Sequence, residues 1–470
     1  MTTAEKNPFR GGYAPVTEEI TAFDLPVTGT LPDTLNGRFL RNGPNPLDLD
    51  EPRPHLFLGN GMVHGVRMRD GRAEWYRNRW VRSDAVAAAL GEEPRPGPRF
   101  DGLDSNANTH VIGHAGKTLA MVESGLPIQE LTYELDTVGR YDFDGTLPGG
   151  FAAHSTVDPH TGDLHAVAYY FGWPDRIQHL VVSPAGLVER AVDIAVKDGP
   201  MVHDFALTGK YVVLYDLPVT FSTAALEAGV RLPYAWNDAH PARIGLLPRE
   251  GGGEDVRWFD IDPCWVFHTL NAYDDGDRVV IDVVAYDSLF VDARLDGGGP
   301  PALERWVIDP AVGSVKRERL DDRAQEFPRI DPRRAGMPHR YGYTVDTEEL
   351  LVQLPRGAQD LAELPAPAFG AAIIKHDLRG GGQEEHLFPR GSYASEPVFV
   401  PADPNADATE SAESAEDDGY VMAYVHNPDR GAADLVILSA QDFAGGPVAT
   451  VHLPARVPLG FHGNFVFDES

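Results

Sequence analysis

From Gly37 almost to the C-terminus the chain repeats one pattern: a short run rich in β-branched and aromatic residues, a turn built on Gly, Asn or Asp, and a second such run. GRFLRNGPNP (37–46) reads as a strand entering a Gly/Pro/Asn turn. HLFLGNGMVHGVRMRDGRAEWYRNRWVRS (55–83) reads as consecutive strands with turns at Asn60-Gly61 and Asp70-Gly71. The pattern resumes at THVIGHAGKTLAMVESG (109–125), and later units include YGYTVDTEELLVQL, AAIIKHDLRGGGQEEHLF and YVMAYVHNPDRGAADLVILSA. Short strands with turns at even intervals predict an all-β fold. Hairpins recurring every ~40 to 60 residues have the spacing of propeller blades.

Interruptions fall outside the strands. Residues 84–104 carry a short Ala-rich helical stretch and a Pro/Gly loop, 220–240 is partly helical, and 333–342 is a loop. Residues 403–419 are acidic and of low complexity, which predicts a mobile, solvated loop. Residues 1–36, Pro- and Thr-rich with little periodicity, are expected to lie over the surface, leaving 37–470 as one propeller domain with the 220–240 cap and the 403–419 loop as insertions.

Three histidines sit in matching apolar runs: FAAHSTV around His154, MVHDFA around His203 and WVFHTLN around His268. A Gly-containing turn and a second β-rich run follow each, which predicts a histidine near the start of the first strand of three successive hairpins. His462 lies in GFHGNF near the end. Their separations are 49, 65 and 194 residues, unlike the tight clusters of zinc modules. A propeller gathers such positions, because the innermost strand of every blade lines the axis. Four neutral imidazoles suit Fe, Cu, Ni or Zn. His64 is a competitor in a similar strand; His110, His114, His160, His165 and His179 flank turns or face solvent and are given no role.

A metal-bound imidazole usually donates its other N–H to a carboxylate, carbonyl or water. Three acids stand in apolar, strand-like surroundings: Glu123 in LAMVESGLP, Glu326 in QEFPRID and Glu396 in SYASEPVFVP. Asp204 is a poorer partner, being directed to the other face of a strand from His203. Cys264 reads as a packed core residue.

Charge and composition narrow the class. The chain has 470 residues and a formal charge of −31, which opposes nucleic acid and anionic lipid. There is no 18-residue apolar run and no signal-like N-terminus, and the one cysteine fits a reducing compartment, so a cytoplasmic location is expected. No obligate protein partner is evident.

With these residues in view, the chain resembles the carotenoid oxygenase family. The likeness runs from about Gly37 to Val466 and is carried by GRFLRNGPNP, GMVHGV, NANTHVIGHAGKTLAMVESGLP, FAAHSTVDPHTGDLHAVAYYF, MVHDFALT, WVFHTLNAYDDGD, EFPRID, SEPVFVP and GFHGNFV. The resemblance implies a seven-bladed β-propeller with a cap of loops and short helices over an axial metal site. It implies one Fe(2+) per chain, held by His154, His203, His268 and His462, with Glu123, Glu326 and Glu396 behind three of them. The implied chemistry is cleavage of a carbon–carbon double bond of a carotenoid or apocarotenoid by O2, giving two carbonyl products. Cleavage of a stilbene or phenylpropenoid alkene and an iron-dependent isomerisation are the alternatives.

Departures from the family pattern are local. Leu58 and Asn60 replace an aromatic and an Asp, with an effect expected on a strand and not on the metal. Val122 stands where the stilbene-cleaving branch typically has a lysine positioned for a phenolate. Substrate is expected to meet the 220–240 insertion through Phe221, Leu226, Tyr234 and Trp236. Phe221, Leu226, Val230 and Leu232 form a candidate apolar edge for peripheral membrane contact.

Overall fold

The computed structural model describes residues 12, 14–48, 55–291, 298–347, 372–406 and 416–468. Among them, seven antiparallel sheets of four or five strands form the blades of a β-propeller. Counted along the chain, the innermost strands of blades 1 to 7 are Gly463–Phe467, His110–His114, Ser155–Val157, Ala206–Leu207, Trp265–Asp275, Gln325–Arg329 and Val398–Pro401.

Strand composition follows distance from the axis. In blade 5 the second strand, Arg278–Tyr286 (RVVIDVVAY), is buried at every position after its first, because neighbouring blades cover both of its faces. The outermost strand of that blade, Ser314–Asp321 (SVKRERLD), has no buried position and carries charge instead. Fully buried Trp265 and Trp306 help fill the largest apolar cluster, which joins blades 3, 4 and 5. At roughly 1.5–3 kcal/mol per large side chain removed from water, such inter-blade packing is the main stabilising term.

The ring closes twice. Val27–Gly29 pairs with Ala449–His452 at the outer edge of blade 7, and Gly37–Pro44 pairs with Gly463–Phe467 in blade 1, placing Leu40 opposite Asn464. A Cβ on Gly463 would run into the carbonyl of Leu40, so this close pairing requires glycine there. Thr21–Phe23 adds a further edge strand to blade 1. The N-terminal segment, expected to lie on the surface, is therefore threaded into two sheets from Thr21 onward, with Leu25, Leu31 and Leu35 buried. Its strands are three residues long, too short for a visible period of two. Residues 1–11 and 13 lie outside the described residues.

One other expectation changes in detail. Residues 407–415 of the acidic segment lie outside the described residues, as do residues 348–354 of YGYTVDTEELLVQL. Glu416 and Asp417, however, are buried: Glu416 accepts the N–H groups of Arg340 and Tyr341, and Asp417 pairs with Lys375 at 2.8 Å. That end of the segment is pinned by partners which its composition does not reveal.

The helical stretches are short. Asp84–Leu90 is capped by Ser83, whose side chain accepts from Val86 N, and stopped by Gly91 in the left-handed region. In the 220–240 insertion, Val219–Phe221 pairs with Tyr234–Trp236 around the helix Thr223–Glu227. No helix among the described residues is long and apolar enough to cross a membrane.

His240 clasps the base of that insertion. Its Nδ1 lies 3.0 Å from Asp198 and its Nε2 2.8 Å from Asp216, which also accepts from Arg243 at 2.7 Å. Burial disfavours the imidazolium, but the two carboxylates overcome that penalty and raise the His240 pKa. A raised folded-state pKa stabilises the fold below the usual histidine value, and that stabilisation is lost as pH climbs through the folded value. His240→Phe should therefore cost about 1–3 kcal/mol at pH 6 and distinctly less at pH 9. Urea unfolding at the two pH values measures the gap; a gap that does not shrink at pH 9 would contradict the charged clasp.

Candidate metal centre

The four histidines converge, though not all from within strands. His268 lies in Trp265–Asp275, whereas His154, His203 and His462 occupy extended residues just ahead of the innermost strands of blades 3, 4 and 1. At His462 the backbone is still held on both sides, its N–H by Thr109 O and its carbonyl by Asn42 N, both at 3.0 Å, which fixes the point from which the ring reaches the axis. One nitrogen from each of the four lies within 4.8 Å of the others. The Nε2 atoms of His203 and His268 are 3.2 Å apart, as are those of His268 and His462.

Behind three rings stand the three glutamates. His203 Nδ1 is 2.6 Å from Glu123, His268 Nδ1 is 2.6 Å from Glu326, and His462 Nδ1 is 2.8 Å from Glu396. The second oxygen of each carboxylate is also engaged. Tyr169 donates to Glu123 at 2.6 Å, Tyr286 to Glu326 at 2.9 Å, and Gly463 N to Glu396 at 2.8 Å. Phe327 N also donates to the oxygen of Glu326 that faces His268. Phe327 adopts a left-handed backbone (φ 54°), a costly conformation for an aromatic residue, and its ring stacks 5.5 Å from that of His268.

These partners decide the protonation pattern. A ring that donates Nδ1–H to a carboxylate presents a bare lone pair at Nε2. Lone pairs 3.2 Å apart repel unless a cation lies between them. Nε2 of His154 is likewise buried without a hydrogen-bond partner. Burial, and then the neighbouring imidazoles, hold His154 and His462 well below the usual histidine pKa, so these two do not carry the charge themselves. For His268, burial acts against the charged form, but Glu326 overcomes it and raises the pKa. The donor set fits one divalent transition metal.

Two spaces meet at this cluster. An apolar cavity of about 90 Å³ is walled by Phe57, Val122, Met201, Leu232, Phe267 and Phe461, and opens onto His203, His268 and His462. A wider channel of about 1040 Å³ with mixed polar and apolar walls reaches His154, His268 and His462 past Asn271, Arg329 and Asn464. Phe327 borders both. No lysine or arginine among the described residues lines the apolar cavity.

The residues expected to meet substrate do not line that cavity. Tyr234 is buried in the base of its hairpin between Tyr169 and Phe221, and Leu226 points outward from its helix, half exposed. Trp236 Nε1 donates to Asp238, and Phe221 packs over the hairpin. Leu232 reaches the cavity from the same insertion, because the turn before Tyr234 folds inward. Leu58 also lines it, from the 3-10 turn Leu56–Leu58 and not from a strand.

Other histidines differ from expectation as well. His165 and His179 are buried against each other, 3.1 Å apart, and His64 is buried beside Tyr76 within blade 1. His110 is buried beside the cluster, its ring 5.4 Å from that of His462 and 6.0 Å from that of His154. Its place at the head of the innermost strand of blade 2 lies close to that of His154 and His462, which immediately precede theirs, and this was the available signal. Burial, and then Arg329, push its pKa down to about 4. Cys264 is buried in the core, its thiol pushed up to about 12 by burial.

Comparison with known proteins agrees with this geometry. The family model for the retinal pigment epithelial membrane protein matches residues 13–467. A carotenoid cleavage oxygenase of Mycobacterium tuberculosis is 46% identical over 99% of both chains. An isoeugenol monooxygenase of Pseudomonas putida is 33% identical over 98% of this chain and 99% of its own. The crystal structure of a Pseudomonas brassicacearum lignostilbene dioxygenase superposes with a TM-score of 0.85 at 27% identity, covering both chains fully. A seven-bladed propeller with four axial histidines, matched along nearly its whole length by these relatives, belongs to the carotenoid oxygenase family of dioxygenases.

Proposed function

We propose that this chain is a non-haem Fe(II) dioxygenase that cleaves one carbon–carbon double bond of a carotenoid or apocarotenoid. The observation that carries this reading is the apolar cavity that opens onto three of four convergent imidazoles, His203, His268 and His462, each backed by a carboxylate. The reaction is balanced without an external reductant: the C=C and O=O bonds break, two C=O bonds form, and each oxygen atom ends on one of the two carbons. Iron, when bound, supplies the electron density that makes O2 reactive and holds it beside the alkene.

The chain's own residues do the rest. His154, His203, His268 and His462 hold the ion as neutral ligands. Glu123, Glu326 and Glu396 keep the proton on Nδ1 and fix the ring planes, and Tyr169 and Tyr286 hold two of those carboxylates in turn. Phe267, Phe327 and Phe461 present apolar walls that orient the alkene and exclude water from it.

A second reading, cleavage of a smaller aryl-alkene, is favoured by the cavity volume. About 90 Å³ is small beside the roughly 300–1,000 Å³ typical of sites for drug-sized ligands. Against a phenolic substrate stands Val122, which offers a phenolate no partner, as does the absence of a cation from the described walls. Neutral substrates are favoured on both readings.

Three outcomes follow. His154→Ala should remove most of the iron, measured as metal per chain, with the far-UV circular dichroism unchanged; full iron and turnover in that variant would sink the assignment. Glu326→Gln, which keeps a hydrogen-bonding group but loses the charge, should lower metal affinity or rate by ~10- to 100-fold, and wild-type values would refute its orienting role. Under 18O2, a panel of carotenoid, apocarotenoid, stilbene and stilbene methyl ether should give two carbonyl products carrying label, with apocarotenoid cleaved and no preference for the free phenol. An unlabelled isomer would point to isomerase chemistry, and turnover confined to free phenols would contradict the neutral-substrate reading.

A further inference from the structure

Three of the four imidazoles have a carboxylate at Nδ1, and His154 does not. The nearest acid, Asp204, stands 4.0 Å from its Nδ1, beyond hydrogen-bond reach. The other oxygen of Asp204 accepts from Thr269 N at 2.7 Å, which holds that carboxylate in place. A ligand ring without such a partner lacks the constraint that fixes the other three.

The backbone just before His154 is gripped instead. His110 Nδ1 donates to the carbonyl of Ala153 at 3.0 Å, and His110 Nε2 accepts from Asn464 Nδ2 at 2.8 Å. Asn464 cannot be flipped without loss: its Oδ1 accepts from Arg329 at 2.7 Å, and its Nδ2 also donates to Val111 O at 3.0 Å. Arg329 in turn lies 3.3 Å from the oxygen of Glu396 that faces His462. One chain of polar contacts thus runs from the carboxylate behind His462 to the peptide that carries His154. Both nitrogens of His110 are used, which leaves neither for a metal.

We propose that His110 is a positioning residue for His154, holding its ring through the Ala153 carbonyl in place of the missing carboxylate; this rests on reading the four histidines as metal ligands. Asn464 and Arg329 fix the tautomer that makes the grip possible.

Co(II) is the probe, since its visible absorption reports ligand geometry independently of turnover. Apparent Co(II) affinity, measured by chelator competition, should fall ~10- to 100-fold in His110→Phe, with a changed visible spectrum. His110→Asn places an amide N–H near the position of Nδ1 and should restore affinity to within a few-fold, with the wild-type spectrum. Asn464→Leu, which leaves the imidazole but frees its tautomer, should lie between the two and serves if His110→Phe does not fold. Wild-type affinity and spectrum in His110→Phe, or in Asn464→Leu where that variant is used, would overturn the proposal. Equal losses in His110→Phe and His110→Asn would also overturn it, since ring packing and not the hydrogen bond would then matter. His154→Ala is the control: wild-type Co(II) binding there would fail the four-histidine reading itself, a result distinct from failure of the His110 grip.

Discussion

The structure turns on an electrostatic conflict at the axis. Carboxylates behind three histidines hold the proton on Nδ1, so the opposite nitrogens bring lone pairs together, two pairs of them at 3.2 Å. Burial depresses the basicity of His154 and His462, which closes off relief by protonation at those two rings. A proton on His268, whose pKa Glu326 raises, can bridge to only one of its two neighbours at a time, whereas a divalent cation meets all four rings. The protein holds the site ready with tyrosines, backbone amides and an arginine behind the carboxylates. A site of this kind requires a rigid support, because each group stabilises the next only while all keep their positions.

The propeller provides that support through closure. The four ligands come from blades 1, 3, 4 and 5, and their carboxylates from blades 2, 6 and 7, so every blade contributes to the centre. Displacing any blade would disturb a ligand or its partner. The double pairing of N-terminal with C-terminal strands therefore acts on the metal site as well as on stability, with His462 lying one residue before the strand that closes blade 1. A small apolar cavity on one side of the centre and a wider channel with mixed walls on the other follow from the same arrangement, with Phe327 in its left-handed conformation bordering both.

Much of this was legible in the sequence where chemistry and period coincide. The alternation of apolar runs and glycine turns pointed to blades, and the matched surroundings of His154, His203 and His268 pointed to the axis. Glu326 and Glu396 were legible because a carboxylate among core residues requires a partner. The rest depended on relations without a local signature. Strands of three residues at Thr21–Phe23 and Val27–Gly29 leave no readable period. His110 looked like a turn-flanking residue because its partners, Ala153 and Asn464, are 43 and 354 residues away. In the 220–240 insertion composition identified a cap, but hairpin register buried Tyr234 and sent Leu232 inward, and register there is set by tertiary packing.

The most direct test of the central claim is X-ray absorption at the iron edge of protein loaded anaerobically with one equivalent of Fe(II). The account predicts four imidazole nitrogens in the first shell, seen with the outer-shell scattering of ordered rings, and no protein carboxylate bound to the metal. Fewer than four imidazoles, or a carboxylate oxygen from Glu123, Glu326 or Glu396 in direct contact with the iron, would contradict it.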